Sequence, residues 1–253
     1  MTQFRLNKYI IIFTCLLLGA CSGTKRLPEG EKLYGGAEIK LESSDRLSRK
    51  KKSEIKSAVK TALVPKPNSK FLGMRPRLCM YMAAGKDPKT KYRKWLQKTG
   101  EAPVLASTIK PGATSAIIDA KFFNIGIFRS YTEFKTVEKK RNEKILYISH
   151  VHKPYTVKSL TYLIQDESIN KIVLSVREST VIEPGDDYNL DKLKLELTRI
   201  DATMKDSGYF YFNPDYLLFK ADTAEKDRTV TFKLFLKDSV PSNALRVYRI
   251  NNV

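Results

Sequence analysis

Apolar residues in the second half of the chain follow two different periods. Leu190, Leu193, Leu197, Ile200 and Met204 recur every three or four positions, which predicts an amphipathic helix. Asn189 or Asp191 supplies its start signal. Gly208 stands where a helix needs a residue of positive φ to stop. Tyr209-Phe210-Tyr211-Phe212 follows and suits a strand. Thr229 to Leu236 then alternates and, after the polar turn at 224–228, predicts the second arm of an antiparallel hairpin. Further back, Tyr155 to Leu160 predicts an opening strand and Ser168 to Val176 a short amphipathic helix.

The first half repeats this order. Ile118 to Phe128 aligns without a gap on Ile200 to Phe210, 82 residues later, with Ile, Asp, Ala, Gly and Phe in common. Around it lie a helix from about 113 to 124, Gly126 as its stop, a strand through Tyr131 and Phe134, a charged turn at 138–142 and a strand at 144–148. Tyr34 to Leu41 and Ser48 to Val64 play the opening strand and first helix. A repeat this long fits a small domain rather than a solenoid unit. The predicted architecture is α+β, two tandem β-α-α-β-β modules, each burying one sheet face under two helices. Ala244 to Ile250 resembles the opening strand at 155–157, so the order restarts at 244–253 as an incomplete third module.

The segment at about 64–104 interrupts the first module between its two helices. It carries Pro65, Pro67, Pro76, Pro88 and Pro103, a basic run through Lys86, Lys89, Lys91, Arg93 and Lys94, and the single tryptophan, Trp95. An insert of this length is commonly functional or disordered. Trp95 is expected to cap a small core. The alternative is that Trp95, with Arg93 and Lys94, docks on a membrane interface or a partner.

The N-terminus carries an address. Arg5 and Lys8 precede a short apolar run, Tyr9 to Leu18, which ends in Leu18-Gly19-Ala20-Cys21. The run is too short for a confident bilayer span and has the form of a signal peptide over 1–20. A cysteine at that junction is the acceptor of a diacylglyceryl group, so Cys21 is the expected lipidation site and 21–33 the lipidated tether. Ser22 follows Cys21, not Asp, so retention at the inner membrane is not indicated. The expected location is the outer membrane, lipid-anchored (as palmitate and related acyl chains) on the periplasmic face.

Composition changes the picture in two places. Lys plus Arg outnumber Asp plus Glu by 46 to 27, which in a cytosolic protein would raise nucleic acid as a partner. A lipid-anchored address argues against it and favours anionic headgroups or acidic clients instead. With Cys15 removed and Cys21 acylated, Cys79 is left alone and no internal disulfide forms. Candidate chemistry is sparse. His150 and His152 share one face of a strand, without the further ligands that a metal site needs. Glu183, Asp186 and Asp187 flank a Pro-Gly turn ahead of a helix. There is no GxSxG, P-loop, GxGxxG or HExxH. The sequence reads as a non-enzyme that needs no cofactor, metal or small-molecule substrate.

The tandem modules behind a lipid anchor resemble the POTRA domains of the BamA/TamA outer-membrane assembly family. The resemblance is carried further by Leu27-Pro28-Glu29-Gly30-Glu31-Lys32-Leu33-Tyr34, Pro65-Lys66-Pro67-Asn68, Gly100-Glu101-Ala102-Pro103-Val104 and Gly208-Tyr209-Phe210-Tyr211-Phe212. Those stretches are similar to the lipoprotein form of TamA (TamL). The chain departs from that pattern in carrying no series of alternating membrane strands for a C-terminal barrel. The resemblance implies a role in outer-membrane protein assembly or translocation, with unfolded outer-membrane proteins or an assembly barrel as partners. The domain plan is then module one at 34–152 and module two at 153–238. The expected mechanism is β-augmentation, in which an extended client adds to an exposed sheet edge. Candidate edge residues are Tyr155, Val157, Tyr209, Tyr211, Phe232 and Leu234. A periplasmic ligand-binding or structural envelope lipoprotein with no assembly role is the alternative.

Overall fold

The computed structural model describes residues 27–251. The predicted signal peptide and Cys21 lie outside the described residues. Two compact units divide the chain. One holds residues up to Glu42, Lys52–Ile118 and Tyr131–His150; the other holds Ser43–Lys51, Asp119–Ser130 and Val151 onward. The second unit thus takes residues 43–51, 119–130 and 151–152, which the sequence plan puts in module one.

In the first unit β1 (Leu33–Ser43), β3 (Asn142–Val151) and β2 (Tyr131–Lys139) form a sheet in the order β1-β3-β2. The hairpin β2–β3 is antiparallel, with Tyr131 opposite His150 and Lys139 opposite Asn142. Its tight turn puts Lys140 at φ 53°. In β3, Ile145, Tyr147, Ser149 and Val151 are buried, the two-residue period of a strand with one face inward. Helix α1 (Arg49–Lys60) and helix α4 (Pro111–Asn124) each contribute residues to both units. The insert between them is folded, with α2 (Pro76–Ala84) and α3 (Lys91–Thr99) packed on each other. Leu78 of α2 is buried with Leu27 and Leu33.

In the second unit β4 (Thr156–Tyr162), β6 (Thr229–Leu236) and β5 (Leu217–Ala224) form a sheet in the order β4-β6-β5. β4 runs parallel to β6 and β5 antiparallel to it. Helices α5 (Glu167–Ser175) and α6 (Leu190–Asp206) lie between β4 and β5 in sequence. Asp166 caps α5, accepting from the Ile169 N–H, and Asn189 caps α6, accepting from those of Asp191 and Lys192. The stripe on α6 buries Leu193, Ile200 and Met204, with Leu197 packed partly buried beside them. Ile169, Val173, Ile200, Met204, Phe212, Leu217 and Leu234 make one core cluster. Val157, Tyr188, Leu193, Val230 and Phe232 make a second.

The repeat is visible in the backbone. The Gly126 N–H donates to the Phe123 carbonyl and that of Ile127 to Phe122; 82 residues on, Gly208 donates to Lys205 and Tyr209 to Met204. Both glycines have positive φ, 80° and 94°, as a helix stop of this kind requires. The carbonyl of Gly126 accepts from the Tyr155 N–H, and that of Gly208 from Tyr248. The bridges Leu33–Leu105 and Thr156–Asp187 also match, the second partners again being 82 apart. The first partners are 123 apart, and the excess of 41 is the length of the insert at 64–104.

Of the predicted strands, the one expected from Tyr209 to Phe219 starts late and the one at 244–250 is absent. Residues 209–216 form turns and a 3-10 turn at Pro214–Tyr216, so the strand begins at Leu217. The bonds that stop α6 consume the backbone that a strand at Tyr209 would need. At the far end, Ser242–Leu245 is a 3-10 turn and 246–250 belong to no strand.

Candidate functional site

A strand edge can take a guest only where its backbone groups point outward unpaired. The inner strands β3 and β6 have neighbours on both sides. Phe232 and Leu234 lie on β6 and are buried, which removes them as edge residues.

The opening strand of the second sheet is blocked at its start. Val157 donates to the Asp186 carbonyl at 2.7 Å and accepts from the Gly185 N–H at 2.8 Å. Tyr155 donates to Gly126 and accepts from Tyr188 at 2.8 Å. Both expected edge residues therefore have their backbones occupied. The same loop position blocks β1, where Tyr34 donates to Val104 and Ala106 to Lys32. Tyr209 is buried in the core and donates to Met204, and Tyr211 is exposed in a turn; neither is in a strand.

β5 is different. The Lys237 N–H donates to the Tyr216 carbonyl, and the register pairs Leu218 with Phe235, Lys220 with Lys233 and Asp222 with Thr231. Bonded pairs alternate in an antiparallel ladder, so Leu218, Lys220 and Asp222 turn their backbones to β6. Phe219, Ala221 and Thr223 turn theirs outward. The Leu217 N–H is already used, donating to Pro214. Ala221 to Ala224 are exposed, and Phe219 is half-buried against the core. The outer face carries the Lys233–Asp222 pair at 2.8 Å and the Lys220 ammonium 4.6 Å from the Phe235 ring centre. Charges on an edge of this kind discourage self-pairing. β2 is one of the two outer strands of the first sheet and is almost wholly exposed, with Tyr131, Phe134 and Val137 uncovered.

Alternation alone does not find β5's outward residues in the sequence, because pattern gives the faces of a strand and not its neighbours. The signal that was present is the pair of charges Lys220 and Asp222 within this strand, a mark of an edge.

Titratable groups cluster in two places in the second unit. Glu196 of α6 is fully buried. Its Oε1 accepts from the Arg199 Nη2 at 2.7 Å and the Tyr162 hydroxyl at 3.2 Å, and its Oε2 from Arg199 Nε at 3.0 Å and the Val181 N–H at 3.2 Å. Burial pushes this carboxyl up, but the Arg199 and Val181 hydrogen bonds outweigh it and hold it below the usual carboxylate range. Asp45 is held down by its hydrogen bond from Arg228 and by the Lys153 N–H at 2.7 Å. Beside it is a cleft of about 150 Å³ lined by Ile127, Phe128, Arg129, Lys153, Tyr155 and Arg228, among others. Arg129 pairs with Glu225 and Arg228 with Asp45, so both guanidinium groups already have carboxylate partners. His152 also faces Asp45, at 3.5 Å, while His150 faces Glu42 at 3.8 Å in the first unit. No group of three or more potential metal ligands occurs among the described residues.

Trp95, Arg93 and Lys94 lie on α3 and are exposed. Trp95 is 53% exposed, which overturns its expected place in a core; the buried side chain of that helix is Leu96. No helix among the described residues is long and apolar enough to cross a membrane.

Fold and edges together define a protein of two three-stranded α+β units, in each of which one outer strand, β2 or β5, has no further strand beside it among the described residues. No described protein family matches the sequence, and no curated protein does. Among solved structures, a crystal structure of Haemophilus influenzae BamA POTRA3-5 aligns with 83% of this chain and 68% of that one, at 11% identity and a TM-score of 0.43. POTRA1-2 of the periplasmic domain of Omp85 from Anabaena aligns with 83% and 98%, at 12% identity and a TM-score of 0.35. The N-terminal domain of Omp85 from Thermosynechococcus elongatus aligns with 82% and 63%, at 13% identity and 0.32.

Proposed function

We propose that the chain is a POTRA-type lipoprotein of the outer membrane, anchored through Cys21 on the periplasmic face, which serves outer-membrane protein assembly by holding an extended client or partner strand. The observation that carries the reading is the outer strand β5, with the backbones of Phe219, Ala221 and Thr223 directed away from β6. A guest strand there gains main-chain hydrogen bonds, each worth about 1 kcal/mol net, and needs no particular side chain. Guests of varied sequence are then accepted, as a holder of unfolded chains requires. The half-buried Phe219 beside the core offers an apolar contact to a guest side chain on the same face. The junction Leu18-Gly19-Ala20-Cys21 and the motifs at 27–34, 65–68, 100–104 and 208–212 support the address and the family reading.

Amide hydrogen exchange tests it. An unfolded segment of an outer-membrane β-protein, with alternating apolar and polar residues, is added to the full chain. Protection of the Phe219, Ala221 and Thr223 amides is the expected result. Protection elsewhere with those three unchanged, or no protection at all, overturns the assignment of the edge.

A further inference from the structure

Among the described residues, one face of helix α3 has no partner. Thr90 caps it, accepting from the Arg93 N–H, and Leu96 turns inward. The helix end lies tight on α2, since a Cβ on Gly100 would come within 2.6 Å of the Tyr81 nitrogen. Tyr92 and Trp95 stand one turn apart on the outside, 67% and 53% exposed, with their rings stacked at 6.1 Å and 23°. Lys91, Lys94 and Lys98 follow at three- and four-residue spacing and form a stripe beside Trp95. Arg93 lies on the far flank of Tyr92. From Lys86 to Lys98 six basic residues stand against one acid, Asp87, and among the described residues no carboxylate pairs with any of the six.

An exposed indole and phenol flanked by long cationic chains match the boundary of a lipid bilayer. The rings have an apolar body and a polar edge, and lysine stems extend along apolar surface while their ammonium groups reach phosphate. We propose that α3 docks on an anionic bilayer surface, with Tyr92 and Trp95 at the headgroup boundary and Lys91, Lys94 and Lys98 against lipid phosphates. An acidic protein would satisfy the lysines but gives no reason for two stacked rings to stand uncovered beside the stripe. The docking site is independent of the β5 edge.

Trp95 is the only tryptophan in the chain, so its emission reports this site alone. An acyl chain at Cys21 would hold the protein on any vesicle, and the readout is therefore Trp95 emission rather than sedimentation. The full chain is mixed with phosphatidylcholine vesicles with and without phosphatidylglycerol. A blue shift, with quenching by brominated acyl chains, is expected on the anionic vesicles only. It should reverse at 1 M salt, where the Debye length is about 3 Å. Replacing Lys91, Lys94 and Lys98 with Glu should weaken the partitioning roughly a hundredfold or more, with the far-ultraviolet circular dichroism unchanged. Unchanged Trp95 emission on anionic vesicles overturns the proposal. So does an equal shift on neutral vesicles, or a shift produced by an acidic peptide and not by lipid.

Discussion

Removing the Glu196 carboxylate should be among the most damaging single changes in the second unit. Glu196→Ala deletes the acceptor of two Arg199 bonds, of the Val181 N–H and of the Tyr162 hydroxyl. Breaking a buried ion pair from one side costs about 3–5 kcal/mol. The Arg199 side chain is 19% exposed and regains some water, which places the loss near the lower end, about 3 kcal/mol. Glu196→Gln keeps the shape and one acceptor but turns an amide donor toward the guanidinium, and should cost about 2 kcal/mol. Replacing both partners, Glu196→Leu with Arg199→Met, should recover most of the loss, because no charge is then left buried. Urea unfolding measures all four proteins, with the midpoint shifting at constant slope. The pH dependence has a fixed sign. The folded carboxyl lies below its unfolded value of about 4.3, so its contribution is complete above that pH and is lost as pH falls through the folded value. The natural protein should therefore lose stability below about pH 4 more steeply than Glu196→Gln. A Glu196→Ala midpoint within error of the natural protein, or a double variant as weak as the single one, would refute the reasoning.

The two repeated glycines should differ in cost. Gly126→Ala and Gly208→Ala both place a side chain at positive φ, about 1–2 kcal/mol each. At Gly126 the new Cβ also meets the Tyr188 Cβ at 2.8 Å, next to the main chain of a buried residue. At Gly208 the nearest atoms are a methyl of the exposed Val247, also at 2.8 Å, and the Tyr248 carbonyl oxygen at 3.1 Å, both in an exposed stretch outside any strand, which shifts more readily than the buried Tyr188. Thermal unfolding should show Gly126→Ala as the more destabilised, and the reverse order would contradict the packing described. Asn189→Ala removes the cap of α6 and should cost about 1 kcal/mol in the same assay; no change would mean that water serves the Asp191 and Lys192 amides equally well.

The helices are legible in the sequence because local forces set them. The period of Leu193, Ile200 and Met204, the Asn189 cap and the Gly208 stop agree on α6 without help from the rest of the fold. The 82-residue repeat is legible for the same reason, since both copies solve the same helix-stop problem with the same bonds. Strand order is a tertiary property, and there the reading fails. Phe232 and Leu234 alternate like any half-exposed strand, yet they sit in the middle of a sheet. Val157 is on an outer strand, but a loop 28 residues later takes up its backbone. The aromatic run at 209–212 has strand composition, and the bonds that end α6 override it. Trp95 shows the limit of composition alone, because a lone indole next to lysines is compatible with either side of a helix until the position of Leu96 decides it.

Ala221→Pro is the most direct test of the open edge. Proline removes the one outward N–H at that position and leaves the bonded pairs Lys220–Lys233 and Asp222–Thr231 in place, a substitution that outer strands tolerate. Asp222→Pro is the control, since it removes a donor that faces β6 and should weaken the fold itself. Titration of an unfolded outer-membrane β-segment into the full chain should show clearly weaker binding for Ala221→Pro, with an unfolding midpoint near that of the natural protein. Undiminished binding by Ala221→Pro would contradict the account and move the client site away from β5.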